Sequence, residues 1–183
     1  MKSKTLDTVY IAVAAALICV CSWVTIPLTV PITLQTLGVC LTAGLLGAKR
    51  GTLAVALYIL LGAIGVPVFH GFTGGIGILL GSTGGYIIGF IFTALITGFT
   101  ADKHEKKPLT IILAMVAGVL VCYIFGTAWF AYVYARTNEP AALKTILGWC
   151  VFPYLLPDAA KIALAAVLTG RLRPLLYREG RTA

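Results

Sequence analysis

Apolar residues run along this chain in long blocks separated by short polar or charged interruptions, a pattern too continuous for the one-sided helices of a soluble domain. Residues 7–27 form the first block, 21 residues that reach about 32 Å as a helix and so suffice for one bilayer crossing ending at Pro27. Residues 36–48 are only thirteen, and 52–69 reach a full crossing only through the awkward sequence GAIGVP. These two blocks are predicted to be shorter or interrupted helices joined by a tight turn around Lys49, Arg50 and Gly51. Residues 70–85 hold seven glycines, too many for a regular helix yet apolar enough to stay near the membrane. A fourth helix is predicted over 84–100, a fifth over 109–135 beginning at Pro108, and a sixth over 148–170. The expected fold is a single domain, 1–183, of the all-α polytopic membrane class, with six transmembrane helices and a glycine-rich loop on the extracellular side.

Composition agrees with the block pattern. Of 183 residues, 60% are hydrophobic and 11% charged, where a soluble domain carries about 25% charge. The net charge of +8 does not indicate nucleic-acid binding, because the basic residues sit in short clusters between apolar blocks, as membrane orientation requires. Lys2, Lys4, Lys49, Arg50, Lys103, Lys106, Lys107, Arg171, Arg173, Arg178 and Arg181 fall on one side, eleven of the fourteen, whereas Arg136 and Lys144 occupy the other. Both termini are therefore expected in the cytoplasm. The 26–35 loop, the glycine-rich 66–83 stretch, the 136–147 loop and the 153–158 segment then lie outside. The N-terminal block looks like a signal peptide, but its apolar run continues with no polar domain after it, which reads as a first transmembrane helix.

Two charges break the rule that the blocks are uncharged. Asp158 and Lys161 lie three apart within 149–170, so a helix sets them on one face. Each alone costs roughly 2.5–3.5 kcal/mol at the middle of a bilayer helix, and neither should face lipid. Lys161 could snorkel and Asp158 pair with it as a structural lock. Pro153 and Pro157 directly upstream favour the other reading, a broken backbone lining a polar ligand site. Further candidate contacts are Gln35, which can both donate and accept, and Thr83 with Ser82 and the backbone amides of Gly84 and Gly85. Tyr86, one turn on, could form an apolar wall. On the first helix, Ala12 and Ala16 make a small-xxx-small face suited to close approach of another helix, in the bundle or on a separate protein.

Other chemistries find little support. The five cysteines all lie in apolar blocks, and Cys19 and Cys21 cannot share a helix face, so metal and disulfide readings are weak. His70 stands alone between glycine-rich segments. No Walker sequence, HExxH or nucleophile–His–acid pattern is present, which argues against an enzyme and leaves any ATPase to another polypeptide. A channel would need a polar pore ring. A stand-alone secondary transporter of a vitamin or organic acid remains the alternative, although it would be expected to show paired broken helices.

Taken together, VPITLQTLGV (30–39), GAKRGTLAVALYILLGAIGVPVF (47–69), GFTGGIGILLGSTGGYIIGF (71–90) and PYLLPDAAKIALA (153–165) resemble the BioY proteins, the biotin-specific substrate-binding subunits of energy-coupling factor (ECF) transporters, over essentially the whole chain. Ser82 stands where related proteins often have proline. The resemblance implies a six-helix subunit of a prokaryotic cell membrane that captures biotin from outside, with no cofactor of its own. It also implies a transmembrane coupling partner (the T component), docked through the Ala12 and Ala16 face, and a pair of cytoplasmic ATPases. Asp158 and Lys161 match the acidic and basic residues of that family's biotin site.

Overall fold

The computed structural model describes residues 4–103, 108–139 and 141–182, and side chains within these except Thr137 and those from residue 177 on. Lys2, Lys106 and Lys107, used above for orientation, lie outside the described residues, as do the side chains of Arg178 and Arg181. The elements run α1 (Lys4–Trp23), β1 (Thr25–Ile26), β2 (Ile32–Thr33), α2 (Gln35–Ala63), a 3-10 turn (His70–Phe72), α3 (Ile76–Leu80), α4 (Gly84–Lys103), α5 (Pro108–Thr137), α6 (Leu143–Cys150) and α7 (Phe152–Thr182). The two short strands pair antiparallel, Thr25 with Thr33 and Ile26 with Ile32. Helix α4 packs between α2 and α5, while α1 and α7 pack on α2.

Among the described residues, five helical segments are long and apolar enough to cross a membrane: Lys4–Trp23, Gln35–Ala63, Gly84–Lys103, Pro108–Arg136 and Leu143–Leu176. The protein is thus an all-α polytopic membrane protein, with five such segments where six separate crossings were expected. The difference lies in α2, which holds both of the short helices expected over 36–48 and 52–69 and joined by a tight turn. The two arms are continuous except at Gly47, whose φ of 78° and ψ of −175° are not helical. Along a straight helix Gln35 and Tyr58 would stand about 35 Å apart, yet the Gln35 amide donates to the Tyr58 hydroxyl. A Cβ on Gly51 would likewise sit 2.8 Å from the Ala43 backbone. The chain therefore doubles back at Gly47, two residues before the Lys49–Arg50–Gly51 turn expected, because the reversal needs the positive φ that glycine supplies.

Two further expectations change. The 66–83 stretch is not a simple loop: Phe69 and Thr73 form an isolated bridge, and α3 occupies 76–80. The 148–170 helix is two elements, broken at Val151 (φ −126°, ψ −57°) and not at the prolines. Pro153 and Pro157 are carried inside α7's opening turns. The amide that Pro157 lacks would have bonded the carbonyl of Pro153, four residues back in the first turn, so one ladder bond is lost and the helix continues. The first helix stops at Trp23, four residues before Pro27, where the chain turns into the strand pair.

One end of the bundle is tied by a charged knot. Asp102, near the end of α4, accepts the Ala48 amide at 2.9 Å and the Arg173 guanidinium at 3.2 Å, and Arg173 also donates to the Gly44 carbonyl at 2.7 Å. These contacts hold α2's reversal against α4 and α7. At the opposite end the Ser22 hydroxyl donates to the Val68 carbonyl and the Trp23 indole to Pro67 at 3.0 Å. The 64–75 segment is thereby fastened to the end of α1.

Gly47→Ala and Gly65→Ala separate the two constraints on the reversal. Both positions have positive φ, but a Cβ at Gly47 would collide with the Asp102 carboxylate whereas Gly65 has open space around it. Backbone strain alone costs about 1–3 kcal/mol, so G65A should lower the unfolding temperature modestly and G47A clearly further. Equal shifts in the same detergent would show that the Asp102 contact adds nothing.

Candidate functional site

The site is built where α7, α5, α4 and the start of α2 converge. On α7, Asp158 and Lys161 are 4% and 7% exposed, although both are charged side chains. The Lys161 ammonium donates to one Asp158 carboxylate oxygen at 2.7 Å, and the Tyr123 hydroxyl of α5 donates to the other. Both oxygens of the carboxylate are thus engaged, which is what a buried charge requires. Neither side chain faces outward.

These residues border a cavity with about 640 Å³ of empty space, counting the part that opens to the exterior. Its polar end carries Asp158, Lys161, Tyr123, Gln35 and Thr36. Its walls are Val30, Ile87, Phe90, Val119 and Tyr86, with His70 and Thr83 at the glycine-rich segment. The β1–β2 loop closes over it: Tyr154 of α7 donates its hydroxyl to the Val30 carbonyl.

Gln35 is held in one orientation. Its side-chain oxygen accepts from the Thr33 hydroxyl at 2.8 Å, and its amide group donates to Tyr58, which packs edge-on against the buried Phe69 ring with centroids 5.5 Å apart. Tyr86 is positioned by Thr127, with 2.9 Å between the hydroxyls, and by Gly126, where a Cβ would enter the ring. His70 is half-buried and its pKa lies below the ordinary histidine value because of that burial. It therefore presents a neutral imidazole to the cavity at neutral pH.

Of the residues singled out in the sequence, Asp158, Lys161, Gln35, Thr83 and Tyr86 come together around this cavity. Gly84 and Gly85 are buried in the first turn of α4 and are not among the lining residues. A Cβ on Gly84 would strike the Leu79 carbonyl and one on Gly85 the Trp129 side chain, so both positions serve close packing. Ala12 and Ala16 are exposed on the outer face of α1, beside Val9, Val13 and Val20. Sequence reasoning missed Tyr123 and Tyr154, since a tyrosine in an apolar block carries no mark of the side it faces. Cys122 and Cys150 also border the cavity. All five cysteines are free and buried, and among the described residues no group of three or more His, Cys, Asp or Glu comes together.

A helical membrane protein with a mostly apolar cavity and one buried ion pair at its polar end belongs to the class of small-solute binding and transport proteins. The family model described as the BioY family matches residues 1–178, and the chain belongs to that family. It is 40% identical over 161 residues to the biotin transporter BioY of Thermotoga maritima, covering 87% of this chain and 91% of that protein. It is 37% identical to the probable biotin transporter BioY of Lysinibacillus sphaericus, covering 100% of this chain and 92% of that protein. Among solved structures it is similar to the S-component for biotin from an ECF-type ABC transporter, with a TM-score of 0.83 and 29% identity over 93% of this chain and 92% of that one.

The ion pair has a stability signature of its own. Asp158→Asn or Lys161→Met leaves the other charge buried without its partner, which should cost about 3–5 kcal/mol. The double replacement D158N/K161M removes both charges and should recover most of the parental unfolding temperature. A double variant no more stable than either single one would show that the two charges are not compensating each other.

Proposed function

We propose that the protein captures biotin with high affinity and serves as the substrate-specificity subunit of an ATP-driven ECF transporter, with no ATPase of its own. The observation that carries this reading is the cavity around Asp158, Lys161 and Tyr123 in a chain of the BioY family. Biotin has a ureido ring needing donors and acceptors, an apolar thioether-bearing body and a carboxylate. The cavity supplies Asp158 and Tyr123 as acceptor and donor, an ammonium with donors beyond the one given to Asp158, and apolar walls from Val30, Ile87, Phe90 and Tyr86. Asp158, Lys161, Gln35, Thr83 and Tyr86 are the side chains assigned to the ligand. Gly84 and Gly85 contribute by shaping the start of α4 beside Thr83.

In this reading α2 acts as two short antiparallel arms reversed at Gly47, giving six crossing arms with both termini in the cytoplasm. Lys4, Lys49, Arg50, Lys103, Arg171 and Arg173 then mark the cytoplasmic side. The cavity and the glycine-rich 66–83 segment open outward. The exposed Ala12 and Ala16 face of α1 docks the T component, and a pair of cytoplasmic ATPases completes the transporter. Support for the partners comes from the solved S-component to which the chain is similar.

Purified in detergent without nucleotide or partner, the protein should bind biotin in a calorimetric titration and carry it through purification. No heat and no biotin in denatured extracts would overturn the assignment. The folded double variant D158N/K161M should bind far more weakly, since each lost hydrogen bond to a charged group is worth roughly 1.5–3 kcal/mol, about 10–150-fold in affinity. Parental affinity in that variant would remove both residues from the ligand contacts and leave them as a structural lock.

Ala12→Leu or Ala16→Leu should leave biotin binding intact and reduce co-purification with the T component, because leucine prevents close helix approach on a face remote from the cavity. Unchanged co-purification with collapsed binding would assign that face to the bundle itself.

A further inference from the structure

A second groove lies at the charged end of the bundle, between the start of α1, the reversal of α2 and the end of α4. It has about 840 Å³ of empty space, counting the part open to the exterior, and is lined by Lys4, Asp7, Ile11, Leu46, Lys49, Arg50, Leu53 and Asp102. None of these residues borders the Asp158–Lys161 cavity. Its charges are not equivalent. Asp7 is engaged by Arg50 at 2.6 Å, and Asp102 accepts both Arg173 and the Ala48 amide. The two carboxylates are thereby neutralised from within, and the excess charge is that of the exposed Lys4 and Lys49.

The groove is also amphiphilic. Ile11, Leu46 and Leu53 supply apolar surface, and it adjoins the outer face of α1, where Leu6, Val9 and Val13 are exposed. It sits at the ends of the apolar blocks of α1, α2 and α4, the depth at which lipid headgroups meet a transmembrane bundle. A positive rim over an apolar floor at that depth matches a molecule whose phosphate is joined to hydrocarbon.

We infer that this groove binds the headgroup of an anionic phospholipid, with Lys4 and Lys49 on the phosphate and Ile11, Leu46 and Leu53 against the start of an acyl chain. The Arg50–Asp7 pair fixes α1 to the reversal of α2 and so sets the spacing of the two lysines. The inference stands apart from the biotin reading and from the orientation of the chain.

The test is native mass spectrometry of the full chain titrated with phosphatidylglycerol and, separately, with phosphatidylcholine of the same acyl chains. The parent should bind phosphatidylglycerol preferentially. Lys4→Gln with Lys49→Gln should weaken that binding about 30-fold and leave phosphatidylcholine unaffected. The charge-matched pair Arg136→Gln with Lys144→Gln, at the far end of α5 and beyond, should behave as the parent, as should the charge-retaining pair Lys4→Arg with Lys49→Arg. Equal weakening in R136Q/K144Q would reduce the effect to net charge, and unchanged binding in K4Q/K49Q would place the lipid elsewhere. Displacement of the lipid by millimolar inorganic phosphate would make the groove a free-anion site. Any of these results, or loss of binding in K4R/K49R, overturns the inference.

Discussion

An ionised carboxylate inside a membrane bundle has to be given partners before the helix that carries it can be placed, and the Asp158 carboxylate has two. One oxygen accepts from Lys161 on the same helix and the other from Tyr123 on α5. The first contact comes from the helix period alone, because residues three apart share a face. The second is tertiary and sets how α7 turns towards α5. Once that rotation is set, the rest of α7's inner face follows at helical spacing: Ile162, Ala165, Thr169 and Arg173 are all buried. The same face that points two charges into the cavity also delivers Arg173 to Gly44 and Asp102 some four turns further along. Site and knot are therefore two ends of one constraint on α7.

The second requirement is that α2, α4 and α5 approach closely enough to leave a defined cavity. Small residues at the crossings provide it. A Cβ on Gly98 would press into the backbone of Ala48, and a Cβ on Gly118 would stand 3.0 Å from the Thr93 backbone. In hydrocarbon there is no hydrophobic gain from bringing helices together, so close packing and interhelical hydrogen bonds such as Thr93 to the Gly118 carbonyl, 2.9 Å, hold the bundle. The cavity lies where this packing gives way to larger side chains, Phe90, Tyr86 and Tyr154 among them.

What could be read from the sequence divides along the same line. Asp158 and Lys161 stood out because an ionisable group at membrane depth has few harmless explanations, and Gln35 because it ended a polar loop at a helix start. Tyr123 did not, since α5 is apolar all round and its inward face carries no periodic mark. Gly84 and Gly85 looked like ligand-approach glycines, but glycine serves helix approach equally well, and only the positions of Leu79 and Trp129 reveal that use. Gly44, Gly47 and Gly51 are alike in sequence, so the reversal could be located only within a few residues. A backbone break was expected at Pro153 and Pro157 for a related reason: a proline signals a lost hydrogen bond, whereas whether the helix is interrupted depends on how near its start the proline lies.

Under the proposed function, the resident pair also bears on how an empty site can persist. A lone ammonium suited to a ligand carboxylate would be an uncompensated buried charge between ligands. Asp158 gives Lys161 a counter-charge in the empty site, so the bundle need not reorganise when the ligand leaves. Tyr123 limits the cost in the other direction, because an Asp158 oxygen turned towards a ligand would still retain a donor on its second oxygen. The arrangement requires the ligand to offer both a donor for the carboxylate and a negative group for the ammonium. A solute with only one of these would satisfy one charge while disturbing the other. Selectivity in such a cavity follows from the buried pair before any fit of the apolar walls, since a mismatch there leaves a charge unsatisfied in a low dielectric, whereas a missing methylene at Ile87 or Phe90 costs only about 1–3 kcal/mol.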